Sequence, residues 1–223
     1  MTDLHTHILP GIDDGAANVE QSLAMLRAQR DQGVDTVVLT PHFYREDESI
    51  EDFLARRQEA YRQLLEAIGD EPMPKLMLGA EVYWYPGISQ QEGLEKLCLE
   101  GTDWLLLELP YAQWTDRILE EVDRIPALTG LTPLIAHVDR YFRFQKKGQI
   151  ELLHAMGFPL QINAIALASL LSRRRLLPLL RDGNCFIGSD CHGPVIRPPR
   201  MDQAVLGLKK YPDLQYALEW QPM

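Results

Sequence analysis

WLLLELP (Trp104–Pro110) runs four large apolar residues together before a glutamate, a leucine and a proline. A strand with one wet face would alternate apolar and polar residues. A continuous run belongs to a strand buried on both faces, as in a parallel sheet covered by helices. Comparable runs precede it, as DLHTH from Asp3, TVVLTPH from Thr36 and KLMLGAEVYW from Lys75. Others follow it, as TPLIAHV from Thr132, FPLQINA from Phe158 and CFIGSDCH from Cys185. Their starts lie 26–39 residues apart, room for one strand and a returning helix. The spacers carry helix signals. Asn18 opens NVEQSLAMLRAQRDQG with Gln21 in capping-box position and Gly33 as a stop, and Ser49 precedes a helix ending at Gly69. Ser89 with Glu92 predicts a third capped helix, and further helices are expected after Thr115, over about Gln149–Met156 and over Leu167–Arg181. With no linker or low-complexity segment, the seven units predict one α/β domain over residues 1–223. A parallel barrel is the expected form, with a doubly wound open sheet as the alternative.

The Glu108 at the end of that run is one of a set. His5 and His7 close the first run, two apart and so on one face, with Asp14 in the loop beyond. His42 closes the second, Glu81 and Glu108 lie near the ends of the third and fourth, His137 closes the fifth, and Asp190 and His192 close the seventh. A parallel barrel gathers these ends on one face. Nine imidazoles and carboxylates exceed the three or four that one catalytic metal takes, so two or three ions are expected. Nitrogen and hard oxygen ligands without a thiolate favour manganese, iron or zinc. Asp13 reads as a turn cap before Gly15, and His154, in mid-helix, as structural or surface.

Composition narrows the partners. A net charge of −10 and no basic stripe disfavour nucleic acid and anionic membranes. No apolar stretch approaches the roughly 20 residues of a bilayer span. The N-terminus lacks the charged-then-apolar pattern of a secretory signal, and three widely spaced cysteines make no disulfide framework. The expectation is a cytoplasmic protein.

DLHTH, the PH pair, the lone glutamate after the third strand, AHVDRY and SDCH together resemble the polymerase-and-histidinol-phosphatase (PHP) superfamily of metal-dependent phosphoesterases. With HILPGIDDG and RPP, the chain is similar more narrowly to the manganese-dependent bacterial protein-tyrosine phosphatases of the capsule and exopolysaccharide type. It departs from them at HVDRY and at Cys191, between the last two ligands. The resemblance implies a distorted (β/α)7 barrel and a trinuclear site. His5, His7, Glu81 and Asp190 would hold one ion, Glu81, Glu108 and His137 a second, and Asp14, His42 and His192 a third. It further implies Mn2+ as cofactor and a phosphotyrosine protein, a bacterial tyrosine autokinase, as partner.

Arg140 and Arg197 follow His137 and His192 by three and five residues. On the metal face, their planar guanidiniums would bind phosphate oxygens. The expected chemistry is in-line attack on phosphorus by a metal-activated water. Aromatic residues from Tyr83 to Phe142 crowd the same ends, as walls of a ring slot or as packing. Cys191 and Arg197 also fit the C-x5-R count of thiolate phosphatases, but Pro194 removes a phosphate-cradling N–H and Val195 and Ile196 resist the tight loop. A small-molecule phosphatase such as a histidinol-phosphatase, a PHP-type nuclease, and a metal-binding module without turnover remain the alternatives.

Overall fold

In the computed structural model, which describes residues 1–220, the seven runs become nine strands joined only in parallel. These are β1 (Thr2–Thr6), β2 (Thr36–Leu39), β3 (His42–Phe43), β4 (Lys75–Leu78), β5 (Glu81–Tyr83), β6 (Trp104–Glu108), β7 (Thr132–Ile135), β8 (Leu160–Asn163) and β9 (Cys185–Gly188). The second and third runs are each split in two. Pro41, between β2 and β3, has no N–H to give a ladder. At Gly79, between β4 and β5, a Cβ would lie 2.8 Å from Leu99 Cδ2.

One sheet runs β1-β2-β4 and the other β3-β5-β6-β7-β8-β9. Since β2 leads into β3 and β4 into β5, the runs follow one another in chain order. The first and last meet at a seam. Thr6 bridges Cys191, His7 N–H donates to Cys191 O (3.0 Å), and Asp190 N–H donates to His5 O (2.8 Å). Gly188 permits this approach, because a Cβ there would lie 2.6 Å from His5 Cβ. A doubly wound sheet would reverse its strand order at a switch point. Here the order never reverses, and the arrangement is a distorted parallel α/β ring whose seam is one bridge rather than a ladder.

The helices are α1 (Val19–Asp31), α2 (Ile50–Ile68), α3 (Asp116–Thr129), α4 (Val138–Tyr141), α5 (Gln149–Ala155), α6 (Leu170–Asp182) and α7 (Met201–Leu208). Asn18 and Ser49 cap α1 and α2, accepting from Gln21 N–H at 3.0 Å and Asp52 N–H at 3.1 Å. The helix expected behind Ser89 does not form. Ile88–Gln90 and Leu94–Leu97 are 3₁₀ turns, and Gly93 between them sits at φ +85°. The Ser89 hydroxyl donates instead to Glu121 Oε1 on α3 (2.7 Å). The helix expected from Leu167 starts at Leu170, where Ser169 caps it after a 3₁₀ turn over Ala164–Leu167. Two helices were not anticipated, α4 and α7.

The core has two parts. Leu4, Val38, Met77, Leu106 and Leu134, from five different strands, meet Trp220 in a small cluster, with Trp104 and Phe186 against it. Their neighbours Val37, Leu39, Leu105, Leu107 and Ile135 join the helices in a larger one. Two residues beyond Leu106 on the same face of β6 stands Glu108. The small cluster is thus the floor on which the polar strand ends stand.

Candidate metal centre

β1 reaches the centre through a bulge. Asp3 pairs with Val37 and Thr6 with Leu39, three residues against two. Leu4 therefore packs in the floor while His5 and His7 face the same interior. All nine expected residues converge at this end of the ring. Donor atoms of His7, Asp14, His42 and His192 form one group, those of His5, His7 and Glu81 a second, and those of His42, Glu81 and Glu108 a third. His137 Nε2 lies 2.9 Å from Glu81 Oε1 and 3.3 Å from Glu108 Oε1. Asp190 Oδ1 is 3.8 Å from His5 Nε2 and 3.6 Å from His7 Nε2. The groups differ from the expected sets: His7 and His42 each belong to two, His42 stands with Glu81 and Glu108 where His137 was expected, and His137 and Asp190 border the groups without belonging to one.

The hydrogen bonds decide which way each ring presents its lone pair. His137 N–H donates to Gln161 Oε1 at 2.6 Å, which fixes that oxygen as an acceptor. His5 Nδ1, 3.0 Å from the same oxygen, must then carry a hydrogen. Asp13 Oδ2 accepts from His7 Nδ1 at 2.8 Å. In the neutral form of each ring Nε2 is the bare nitrogen, and the two Nε2 atoms face each other at 3.1 Å. Glu81 Oε2, buried with no hydrogen-bond donor, lies 3.1 Å from His5 Nε2, 3.2 Å from His7 Nε2 and 3.1 Å from His42 Nδ1. Two lone pairs and a carboxylate oxygen pointing at one another repel unless positive charge, a proton or a metal ion, lies among them. The donor set, nitrogen and carboxylate oxygen without sulfur, fits divalent manganese, iron or zinc.

The titration shows the same demand for positive charge. Burial works against charge on His7, yet the Asp13 and Glu81 carboxylates, which accept from its ring, push its pKa up to about 10, so that without a metal ion a second proton takes the place of one. His137 is likewise buried but raised to about 9 by Glu108 and Glu81. His192 drops to about 3 through burial and the charge of His7, and burial lowers His42 too. Glu81 is buried but held well below the carboxylate range by His5 and His42. The centre draws positive charge to its floor and keeps neutral imidazoles at its rim.

Arg140 and Arg197 both turn to Asp190. Arg140 Nη2 pairs with Oδ2, and its Nη1 donates to the Tyr111 hydroxyl at 3.0 Å. Arg197 Nη2 lies 2.7 Å from Oδ1 and donates to the Asp190 carbonyl at 3.1 Å. Both guanidiniums therefore border the centre, part-exposed, with N–H groups beyond those these contacts use. Among the described residues, His137, Asp190 and Arg197 are three of the four non-glycine residues with positive φ, at +29°, +53° and +56°. Such backbone is costly and concentrates where side-chain aim matters.

Cys191 cannot serve as a thiolate. It is fully buried, burial raises its pKa, and its neighbours are Gln29 and Ser189 rather than the open face. Among the aromatics, Trp114 and Tyr141 are packing residues. Trp114 Nε1 donates to Pro110 O at 3.2 Å, and the buried Tyr141 hydroxyl accepts from Leu109 N–H at 2.8 Å. Tyr44, Tyr83 and Tyr85 instead line a cleft of about 270 Å³, and Tyr44 stacks on His42 with centroids 5.2 Å apart.

Several supporting residues escaped the sequence reading. Asp13 does cap the turn, accepting from Gly15 N–H (2.9 Å), but it also orients His7 and accepts from His42 N–H (3.0 Å). Gln161 and Asn163 alternate on the buried strand β8, and Asn163 Nδ2 donates to Asp190 Oδ2 at 3.1 Å. Asp3 accepts from Ser189 N–H at 2.7 Å and from Gln29 across the seam. Polar residues at every second position of an apolar run were the available signal.

Residues 1–219 match the family model described as capsular polysaccharide synthesis, CpsB/CapC. The tyrosine-protein phosphatase YwqE of Bacillus subtilis is 31% identical, covering 94% of this chain and 84% of that protein. The tyrosine-protein phosphatase CpsB of Streptococcus pneumoniae is 30% identical, covering 95% and 91%. Among solved structures, a chain from the work on YwqE and CpsB, described as metal-dependent tyrosine phosphatases, superposes with a TM-score of 0.81 at 27% identity, covering 97% of this chain and 90% of that one. A histidinol phosphate phosphatase from Lactococcus lactis shares the fold at a TM-score of 0.59 and 14% identity, covering 94% and 92%. The chain belongs to the CpsB/CapC family.

Proposed function

We propose that this member of the CpsB/CapC family is a metal-dependent protein-tyrosine phosphatase, hydrolysing phosphotyrosine monoesters on a protein that serves capsule or exopolysaccharide synthesis. The observation that carries the reading is the pair of imidazole Nε2 atoms aimed at each other and at Glu81, with two guanidiniums at the rim. The names of the relatives support it: YwqE and CpsB are tyrosine-protein phosphatases.

In this reading His5, His7, Glu81 and Asp190 hold one ion, Glu81, Glu108 and His137 a second, and Asp14, His42 and His192 a third. Two or three Mn2+ ions are the native complement, with iron and zinc as competitors. Bound divalent ions supply Lewis-acid charge to a phosphoryl group and acidify water toward neutral pH. The chain does the rest. Arg140 and Arg197 present N–H groups to the equatorial phosphate oxygens, where charge grows in the transition state. Tyr111 steadies Arg140 through its hydroxyl. Asp13 and Gln161 hold His7 and His5 in the ligating tautomer. The cleft beside Tyr44 and Tyr83 receives the substrate ring. A tyrosine phenolate, with a parent pKa near 10, leaves without a strong general acid.

The whole chain, 1–223, acts as one domain in the cytoplasm, on a bacterial tyrosine autokinase. The test compares phosphotyrosine peptide, histidinol phosphate and single-stranded DNA as substrates. The protein is stripped of metal and then reloaded with Mn2+, Fe2+ or Zn2+. Hydrolysis of the phosphotyrosine peptide, restored best by Mn2+, is expected. Faster turnover of histidinol phosphate, or degradation of DNA, overturns the reading.

A further inference from the structure

Basic residues are segregated in this acidic chain. From Arg140 to Arg175 there are seven Lys and Arg against one acid, Glu151, a net of +6, which leaves −16 on the rest of a chain of −10. The fold gathers five of them, Arg140, Arg143, Lys146, Lys147 and Arg175, on one flank of the metal centre. A recess of about 510 Å³ is lined by Tyr111, Asp139, Arg140, Phe142, Arg143 and Arg175. A second recess, of about 560 Å³, shares Phe142 and Arg175 and adds Lys146, Lys147 and Glu151. Together they form a trough whose inner end is Tyr111 and Arg140, the residues that touch His137 and Asp190.

The trough offers free positive charge. Arg143, Lys146, Lys147 and Arg175 are exposed. Among the described residues, Arg140 is the one member of the trough in an ion pair. Asp139 is half-buried, and its Oδ1 accepts from Asn163 N–H at 2.8 Å. Arg143 is also held in place, its guanidinium 4.7 Å over the Phe144 ring, which lies 5.8 Å from Tyr111. A solvated basic face would not be expected to open, through shared lining residues, onto a cluster built for a phosphoryl group.

We infer that this trough binds the anionic flank of the substrate polypeptide, carboxylates or further phosphates beside the phosphotyrosine held at the metal centre. The inference rests on the phosphotyrosine reading above, and it names the substrate class: proteins whose target tyrosine sits in an acidic or multiply phosphorylated stretch. Attraction of opposite charge raises the encounter rate and weakens with salt.

The experiment uses three phosphotyrosine peptides, with glutamine flanks, glutamate flanks, or a second phosphotyrosine four residues away. The proteins are the metal-loaded wild type and a variant carrying Arg143→Gln, Lys146→Gln, Lys147→Gln and Arg175→Gln. The wild type should favour both anionic peptides over the neutral one by about tenfold in kcat/KM at low salt, through KM. The preference should vanish in the variant and at high salt, with turnover of p-nitrophenyl phosphate unchanged. The ratio between the two anionic peptides tells carboxylate from phosphate. The salt titration of the wild type needs no variant. Fluorescence anisotropy of the same peptides reads the trough apart from catalysis. No preference in either readout, a preference that survives the four substitutions, or tighter binding of single-stranded DNA than of any peptide overturns the trough. Retained preference in binding without hydrolysis overturns the catalytic reading alone.

Discussion

Asn in place of Asp13 separates two roles that the alanine variant would confound. If Asp13 only capped the turn, Asp13→Asn would be nearly silent, since Asn accepts from Gly15 N–H as well as Asp does. The geometry demands more. Oδ1 accepts from Gly15 N–H at 2.9 Å, while Oδ2 accepts from both His7 Nδ1 at 2.8 Å and His42 N–H at 3.0 Å. An amide has one acceptor. Kept on Gly15, its NH2 meets the His42 N–H head-on and turns the His7 ring to the other tautomer, with a hydrogen on Nε2 where the lone pair faced the centre. The Asp13 side chain is 4% exposed, and His7 holds its carboxyl, despite burial, below the carboxylate range. The lost charge-assisted bond is therefore worth about 1.5–3 kcal/mol. For a chain of this size that lowers Tm by about 3–12 °C, at roughly 2–4 °C per kcal/mol. Metal affinity should fall about 10- to 100-fold, as for other partners behind a ligand. Thermal unfolding of the metal-stripped protein measures the first effect, and Mn2+ titration against a competing chelator the second. A variant within 1–2 °C of wild type in Tm, at roughly 0.5 kcal/mol per degree or less, and with unchanged metal affinity refutes the argument and returns Asp13 to a turn cap.

Other outcomes follow from the same site. Protein purified without chelator should contain at least two transition-metal ions per chain, and chelation should lower its Tm; one ion or none with full activity would sink the cluster. Cys191→Ser should keep most of the activity while His42→Ala and Asp190→Ala lose nearly all of it, measured as phosphotyrosine peptide hydrolysis at normal metal content. In the native protein, the buried Cys98 and Cys185 thiols, pushed up to about 12 by burial, should resist a thiol reagent at pH 8 and react only after unfolding. Replacing Arg140 or Arg197 with alanine should lower kcat/KM by about 10- to 150-fold, the loss of one charge-assisted contact of about 1.5–3 kcal/mol. Lysine should restore part of it, lacking the planar fork, and wild-type kcat/KM in both alanine variants would remove the arginines from the phosphate.

The sequence by itself determined the parallel α/β plan, because WLLLELP and its counterparts are apolar at consecutive positions and their spacing leaves room for one returning helix each. It also determined the nine converging groups, because each stands at the end of its run and a parallel ring brings all such ends to one face. Helix caps at Asn18 and Ser49 were legible, since each needs only a side chain and a backbone N–H three residues on. Ser89 misled for the same local reason: it satisfies the capping rule, but Gly93 breaks the turn and Glu121, 32 residues away, takes its hydroxyl. What tertiary structure alone decided depends on distant partners. The tautomers of His5 and His7 hang on Gln161 and Asp13, and both arginines turn to Asp190. Composition showed a chain of −10 without a basic stripe, whereas the trough joins Arg140 and Arg143 to Arg175, residues no linear window sets side by side. Periodicity fixes which face a residue takes, through backbone geometry that every residue shares. Which partner a side chain meets across the ring is fixed only when strands far apart in the chain are packed into register.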